Sequence, residues 1–355
     1  MSTLTPDTKA LNFPRRSVGR IMSHVMLALL PGTLVMALTI DAGVLFNVLV
    51  AILSALCMEA ALLHLRDRPI RPALSDGSIA LAAWLLALCV PPSLPLWQLI
   101  VGVGVMTTLG KHLYGGLGHN PFNPAMVAYA VLLVSFPVTM TDWSLSQDPE
   151  PTSSTQQLQA DEWDAMSGAT PLDRLREIRR VETDTFTVNA PVSSGTGASA
   201  SANLSDTSVS VNDYRQVSTQ LILHSPWIWV SIAWLCGGLY LLLIRVISWH
   251  IPISVIASLA GLYAGYGLLT SSSALPVLPA LMSGAIMLGV FFIATDPVSA
   301  ATSNSGKLVY GIGIGLFTFI IREFSSYPEG FAFAVLLMNT CVPLIDYLFT
   351  GPKGS

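Results

Sequence analysis

The chain has 355 residues, of which 52% are hydrophobic and only 11% charged, and its 17 basic and 21 acidic side chains leave a net charge of -4. That is too apolar for a soluble domain of this size and reads as an all-α polytopic membrane protein. The small acidic balance implies neither a nucleic-acid partner nor a polybasic lipid anchor, so membrane lipid is the expected surrounding. Residues 1–20 carry Lys9, Arg15, Arg16 and Arg20 ahead of an apolar run with no small-residue cleavage site, so the first span is expected to stay as an anchor.

About ten apolar spans are predicted, near residues 21–40, 44–63, 74–91, 95–111, 124–141, 226–245, 252–270, 279–295, 308–322 and 330–349. They divide the chain into a first five-helix unit over 21–141, a hydrophilic loop over 142–225, a second unit over 226–349 and a tail over 350–355. The third span ends at Val90-Pro91-Pro92 and the eighth, third in its own half, at Thr295-Asp296-Pro297. With an odd number of spans per half, a duplicated unit must lie upside down relative to its copy, which hints at an inverted repeat. Lys9, Arg15, Arg16, Arg20, Arg66, Arg68, Arg71, Lys111, Arg245, Lys307 and Lys353 fall on one side and Arg322 on the other. The positive-inside rule then expects both termini in the cytoplasm and the long loop in the periplasm.

Between the fourth and fifth spans, Lys111 and His112 precede Gly115, Gly116 and Gly118, then Asn120 and Asn123 beside Pro121 and Pro124. Glycines let backbone approach a ligand, and amides can hydrogen-bond a ring edge or an ion. The competing reading is a tight cytoplasmic turn with a topology-setting lysine. Glu59, Asp76, Asp296, Arg322 and Asp346 lie near span ends, where snorkelling or helix capping accounts for most ionisable groups. Asp76 reads first as a helix N-cap and second as part of a pocket. The four cysteines, Cys57, Cys89, Cys236 and Cys341, each stand alone in an apolar segment and read as buried spectator thiols; no metal ligand is assigned. A metal site shared between subunits remains an alternative for them.

In the hydrophilic loop, Leu172, Leu175 and Ile178 follow Pro171 at helical spacing, and residues 190–211 are expected to be disordered because their Ser, Gly, Ala and Thr bury too little apolar area. Ahead of that helix stands Asp164-Ala165-Met166-Ser167-Gly168-Ala169-Thr170. Ser167, Gly168 and Ala169 leave the backbone open to a flat or phosphorylated ligand, and Thr170 presents an esterifiable hydroxyl.

This heptapeptide resembles the flavinylation motif Asp-x-x-Ser/Thr-Gly-Ala-Thr, in which a flavin transferase joins FMN to the threonine through a phosphoester. Further matches are Ser75-Asp76-Gly77-Ser78, Gly110-Lys111-His112-Leu113-Tyr114-Gly115-Gly116-Leu117-Gly118, Asn120-Pro121-Phe122-Asn123-Pro124-Ala125, Phe291 to Ala300 and Phe333 to Asn339. On these stretches the chain is similar to the NqrB/RnfD family, which holds the RnfD components of Rnf electron-transport complexes and the NqrB components of sodium-pumping NADH:quinone oxidoreductase.

The resemblance implies a bacterial inner-membrane flavoprotein with two inverted five-helix repeats similar to those of urea transporters. It implies covalent FMN on Thr170, with Asp164, Ser167, Gly168 and Ala169 forming the attachment motif. It also suggests a second, noncovalent flavin, riboflavin, near Lys111, His112, Asn120 and Asn123. Implied partners are the other Rnf subunits (A, B, C, E, G), which move electrons between NADH and ferredoxin while sodium ions or protons cross the membrane. The chain has no Gly-rich dinucleotide fingerprint, so NADH is expected to be handled by a partner, and no activity is expected of the subunit alone. The main rival is a transporter or channel for a small solute, which explains the spans but not the Thr170 motif; a cofactor-free scaffold subunit is the third reading.

Overall fold

A backbone that crosses hydrocarbon must satisfy its own polar groups, and every regular element among the described residues is helical. The computed structural model describes residues 18–115, 119–143, 218–269, 275–325 and 330–350. Thr170, with Asp164, Ser167, Gly168 and Ala169, lies outside the described residues, as does the 190–211 segment.

Among the described residues, five helices are long and apolar enough to span a membrane: α1 (Val18–Thr39), α2 (Gly43–Leu65), α9 (His250–Leu269), α12 (Asn304–Phe324) and α13 (Phe331–Thr350, apolar through Phe349). Leu27, Leu30, Leu34 and Leu38 of α1 and Leu45, Phe46, Leu49 and Leu53 of α2 are exposed, which suits lipid or a membrane partner rather than water. Exposed Trp97, Trp229 and Trp249 stand at helix starts, where an amphipathic ring suits the membrane interface.

The remaining expected spans are interrupted, except the sixth, which is one shorter helix. The third divides into α3 (Ile70–Ser75) and α4 (Ser78–Cys89), and the fourth is α5 (Leu96–Val105) continued by a π-helix over Met106–His112. The fifth is α6 (Pro124–Ser135) followed by α7 (Pro137–Thr141), and the sixth is α8 (Trp227–Leu243). The eighth comprises α10 (Val277–Met282), the short α11 (Ile286–Leu288) and a π-turn over Gly289–Ile293.

The two principal breaks sit at glycines with left-handed backbone, Gly77 (φ 74°) and Gly284 (φ 65°), a conformation that side chains with a Cβ resist. After the first, Asp76 Oδ1 accepts from the Ser78 N–H at 2.7 Å, placing a carboxylate against the positive end of α4. Asp76 was expected to be the helix N-cap; that position is taken by Gly77, and the Asp76 carboxylate reaches the first turn from one residue earlier because the left-handed glycine turns the chain between them.

Small residues bring the helices close. A Cβ at Gly311 or Gly315 of α12 would fall on Ser254 Oγ or Ser258 Oγ of α9, so these helices meet through a small-residue seam. On α1 and α8, a Cβ at Gly32 would overlap the Trp234 ring and one at Gly237 the carbonyl oxygen of Ala28. In each half a continuous helix, α2 or α9, packs against both the fourth element and the broken third one. The halves meet through α1 on α8 and α6 on α13.

The cysteines depart from expectation. Cys57 and Cys236 are exposed, and Cys89 and Cys341 are partly so, because a lipid-facing position is as apolar in sequence as a core position. Among the described residues no three His, Cys, Asp or Glu side chains gather as a metal site.

Candidate functional site

A cavity of about 140 Å³ opens among α1, α4, the π-helix end and the π-turn, at the end of the bundle that carries Arg66, Arg68 and Lys111. Lys111, Asn120 and Asn123 all line it, together with Ser78, Thr295 and Asp296. Three of the four residues expected near a second flavin therefore share one wall. The fourth, His112, stands behind Lys111 through Glu59.

The π-helix sets this geometry. A Cβ at Gly110 would lie 2.8 Å from Pro124 Cα, so the glycine lets the Lys111 segment press on the start of α6. Asn123 caps α6: its Oδ1 accepts from the N–H groups of Ala125 (3.0 Å) and Met126 (3.3 Å), with Pro124 at the first helical position. Its Nδ2 donates to the Ile293 carbonyl at 3.4 Å, so both amide atoms of Asn123 are engaged structurally. Asn120 differs. Its Nδ2 donates to the Phe122 carbonyl at 3.0 Å, while its buried Oδ1 has no hydrogen-bond partner. A buried acceptor left unpaired costs about 1–3 kcal/mol.

Beside the cavity lies a buried charge cluster. Lys111 Nζ donates to Glu59 Oε1 at 2.8 Å and to Ser78 Oγ at 3.1 Å. Glu59 Oε2 lies 2.9 Å from His112 Nε2. Arg66 Nη1 donates to the His112 carbonyl at 2.9 Å and lies 3.5 Å from Nδ1. A guanidinium only donates, so its partners assign Nδ1 as the acceptor and place the ring proton on Nε2, facing Glu59. Glu59 is 1% exposed, so it does not snorkel to the interface. Its buried stripe, Asn47, Ala51, Ala55, Glu59 and Leu63, recurs every four residues, a signal available in the sequence.

Arg322 was also expected near an interface and is instead buried. Its Nη1 donates to the Ala280 carbonyl at 3.0 Å and Nη2 to the Ser283 carbonyl at 3.3 Å, at the Gly284 break. Lys111 and Arg322 thus both end the fourth element of a half and both tie down the broken third element of that half. Asp346 accepts from the Thr302 N–H at 2.9 Å. Asp296 accepts from Ser299 Oγ at 2.8 Å and caps the turn after the helical run rather than ending the run itself.

A second cavity, about 90 Å³, lies toward the Trp143 end and is lined by Trp143, Trp227, Trp234, Tyr129 and the Ser283-Gly284-Ala285 break. Trp234 and Phe292 meet edge to face, with ring centroids 6.0 Å apart, and each lines a different cavity. Those rings form part of the wall between the two cavities. Deeper still, Asn339 Nδ2 donates to Tyr310 Oη (2.7 Å) and the Ser299 carbonyl (3.2 Å), and its Oδ1 accepts from the Asn123 N–H (3.0 Å).

An all-helical membrane protein with interrupted helices, buried charges and two cavities belongs in class with integral-membrane subunits that pass charge or solute. The chain belongs to the NQR2, RnfD, RnfE family, matching it over residues 10–353. It is 43% identical over 359 residues to the D subunit of the ion-translocating oxidoreductase complex of Erwinia tasmaniensis, covering 96% of this chain and 94% of that protein. The proteins of the same name from Vibrio cholerae and Aeromonas hydrophila are 41% and 42% identical, each covering 96% of this chain and 95% of its own length. Membership in a multi-subunit translocase is consistent with this family.

Proposed function

We propose that this chain is the flavin-bearing membrane subunit of an Rnf-type complex that couples electron transfer to ion translocation. FMN is joined to Thr170 by a phosphoester, with Asp164, Ser167, Gly168 and Ala169 as the motif read by a flavin transferase. A second, noncovalent flavin, riboflavin on the family resemblance, occupies the cavity beside Lys111. The observation that carries the second site is the buried, unpartnered Asn120 Oδ1 on that wall, a ready acceptor for a ring N–H. Bound there, the flavin would supply one- and two-electron chemistry. The protein's own part is position and charge: Asn120 accepts, Lys111 supplies a cation, and the wall of Trp234 and Phe292 limits water between the two ends.

The architecture is read as ten spans in two inverted repeats, in the bacterial inner membrane with both termini cytoplasmic. The support is the pairing of Gly77 with Lys111 near one end and Gly284 with Arg322 near the other. The other Rnf subunits (A, B, C, E, G) supply the remaining redox centres and the NADH site, and sodium ions or protons are the translocated species. The rival, a small-solute transporter, draws on the same two cavities but assigns no role to Thr170.

The decisive experiment is peptide mass spectrometry of the protein from a host with the flavin transferase, beside Thr170→Ala. The expected result is a mass increment of FMN less water on the Thr170 peptide, with in-gel flavin fluorescence that the variant lacks. An unmodified Thr170 despite active transferase would move the transporter reading to first place.

A further inference from the structure

We propose that His112, Glu59 and Lys111, with Arg66 at the outer opening, form a proton-delivery path from the basic end of the bundle into the cavity lined by Lys111 and Asn120. The proposal rests on the reading that this cavity takes a redox-active ring and that the basic end is cytoplasmic. Neutralising a buried lysine needs only one carboxylate, and Glu59 Oε1 supplies it at 2.8 Å. The second carboxylate oxygen is spent on His112 Nε2 at 2.9 Å, and the other ring nitrogen faces the exposed Arg66. The contacts thus run without a gap from an exposed side chain, through an imidazole and a carboxylate, to an ammonium on the cavity wall. Two of the three N–H groups of Lys111 go to Glu59 and Ser78, which leaves the third for an acceptor in the cavity.

The ionisable groups facing His112 are Glu59 from α2, Lys111 from its own segment and Arg66 just beyond α2. The adjoining α4 and α6 bring no carboxylate, histidine, lysine or arginine. An imidazole has two ring nitrogens and can take up a proton at one while donating from the other, which suits the entry position. Arg66 only donates and acts as a positioning residue, holding the ring through the His112 carbonyl.

The transfer balances as follows. For each electron reaching the cavity acceptor from a one-electron carrier of the complex, Lys111 Nζ gives up one proton to that acceptor. Glu59 passes a proton to Lys111, having received one at Oε2 from His112 Nε2. His112 takes a proton from cytoplasmic water at Nδ1 as it gives up the one at Nε2, and a water-borne exchange of the Nδ1 proton for one at Nε2, with no net gain or loss, resets its starting tautomer. The net change is one electron and one proton gained by the acceptor, with all three side chains back at their original charge.

The test is proton uptake by the whole complex in vesicles with the basic end outward. Pre-reduced methyl viologen, a one-electron donor that releases no proton on oxidation, reduces it in a stopped-flow instrument while an external pH-indicator dye reports protons and absorbance reports electrons. His112→Gln keeps an N–H donor for Glu59 but cannot relay, and it is expected to slow uptake at least about tenfold while the number of electrons accepted is unchanged. In His112→Ala, external imidazole is expected to restore the rate, which a purely structural role would not allow. Uptake at the wild-type rate in His112→Gln, or failure of imidazole to rescue His112→Ala, would overturn the path. Acid extraction of the wild-type complex decides the cavity reading separately. If no noncovalent flavin is released, the cavity assignment fails while the dye record still decides the path.

Discussion

Glu59 shows how much one buried carboxylate controls. It faces both Lys111 and His112, so Glu59→Ala leaves an ammonium buried without its counter-charge, and removal of one partner from such a pair costs about 3–5 kcal/mol. Thermal unfolding of the purified protein should show a large loss for Glu59→Ala and a much smaller one for Glu59→Gln combined with Lys111→Met. Equal losses in the two would mean that the pair contributes little. At Asn120 the expected effect is on cofactor content, since its Oδ1 is unpaired and buried. Asn120→Leu should lower acid-extractable flavin while leaving the in-gel fluorescence of a Thr170 flavin intact; parallel loss of both signals would contradict separate sites. Lys111, Asn120 and Asn123 were legible as a group because glycines and prolines surround them. Glu59 was harder to find, since hydropathy places an acid near a span end without saying which face it occupies.

Among the helices, the seam between α9 and α12 offers a contrast within one pair. A Cβ at Gly315 would collide with Ser258 Oγ, whereas one at Gly261 would meet nothing within 4 Å. Gly315→Ala should therefore destabilise by about 1–3 kcal/mol, as overpacked sites do. Gly261→Ala should be neutral or stabilise by up to about 1 kcal/mol, because alanine is the better helix former. Melting temperatures of the two variants in one detergent check the contrast, and a similar shift in both would refute it. The continuous spans were legible to within a few residues: 252–270 was expected where His250–Leu269 forms, and 308–322 lies inside Asn304–Phe324. The interruptions at Gly77 and Gly284 and the two π segments were not. A window average cannot register a single left-handed residue, nor a turn that closes one residue late.

At the scale of the whole molecule, the same blindness hid the exposed Cys57 and Cys236, since lipid-facing and core positions share one hydropathy. The duplicated logic of the halves became visible only through side-chain placement. Lys111 bonds to Ser78 just after the Gly77 break, and Arg322 bonds to Ser283 just before Gly284.

The pairing of α1 with α8 and of α6 with α13 carries a consequence for the gene. Each half packs on helices of the other through contacts such as the Trp234 ring against the bare backbone at Gly32, so no such contact depends on the peptide bonds that join the halves. Two separately translated fragments, one running through Trp143 and the other starting ahead of Ser218, should therefore find one another in the bilayer. Co-expression with a tag on one fragment is expected to co-purify the second, at a yield that Gly32→Val lowers. Failure of the untagged fragment to co-purify would mean that the connecting residues are needed for assembly. A split chain of this kind would turn one open reading frame into a complementing pair, with the Thr170 motif free to travel on either member.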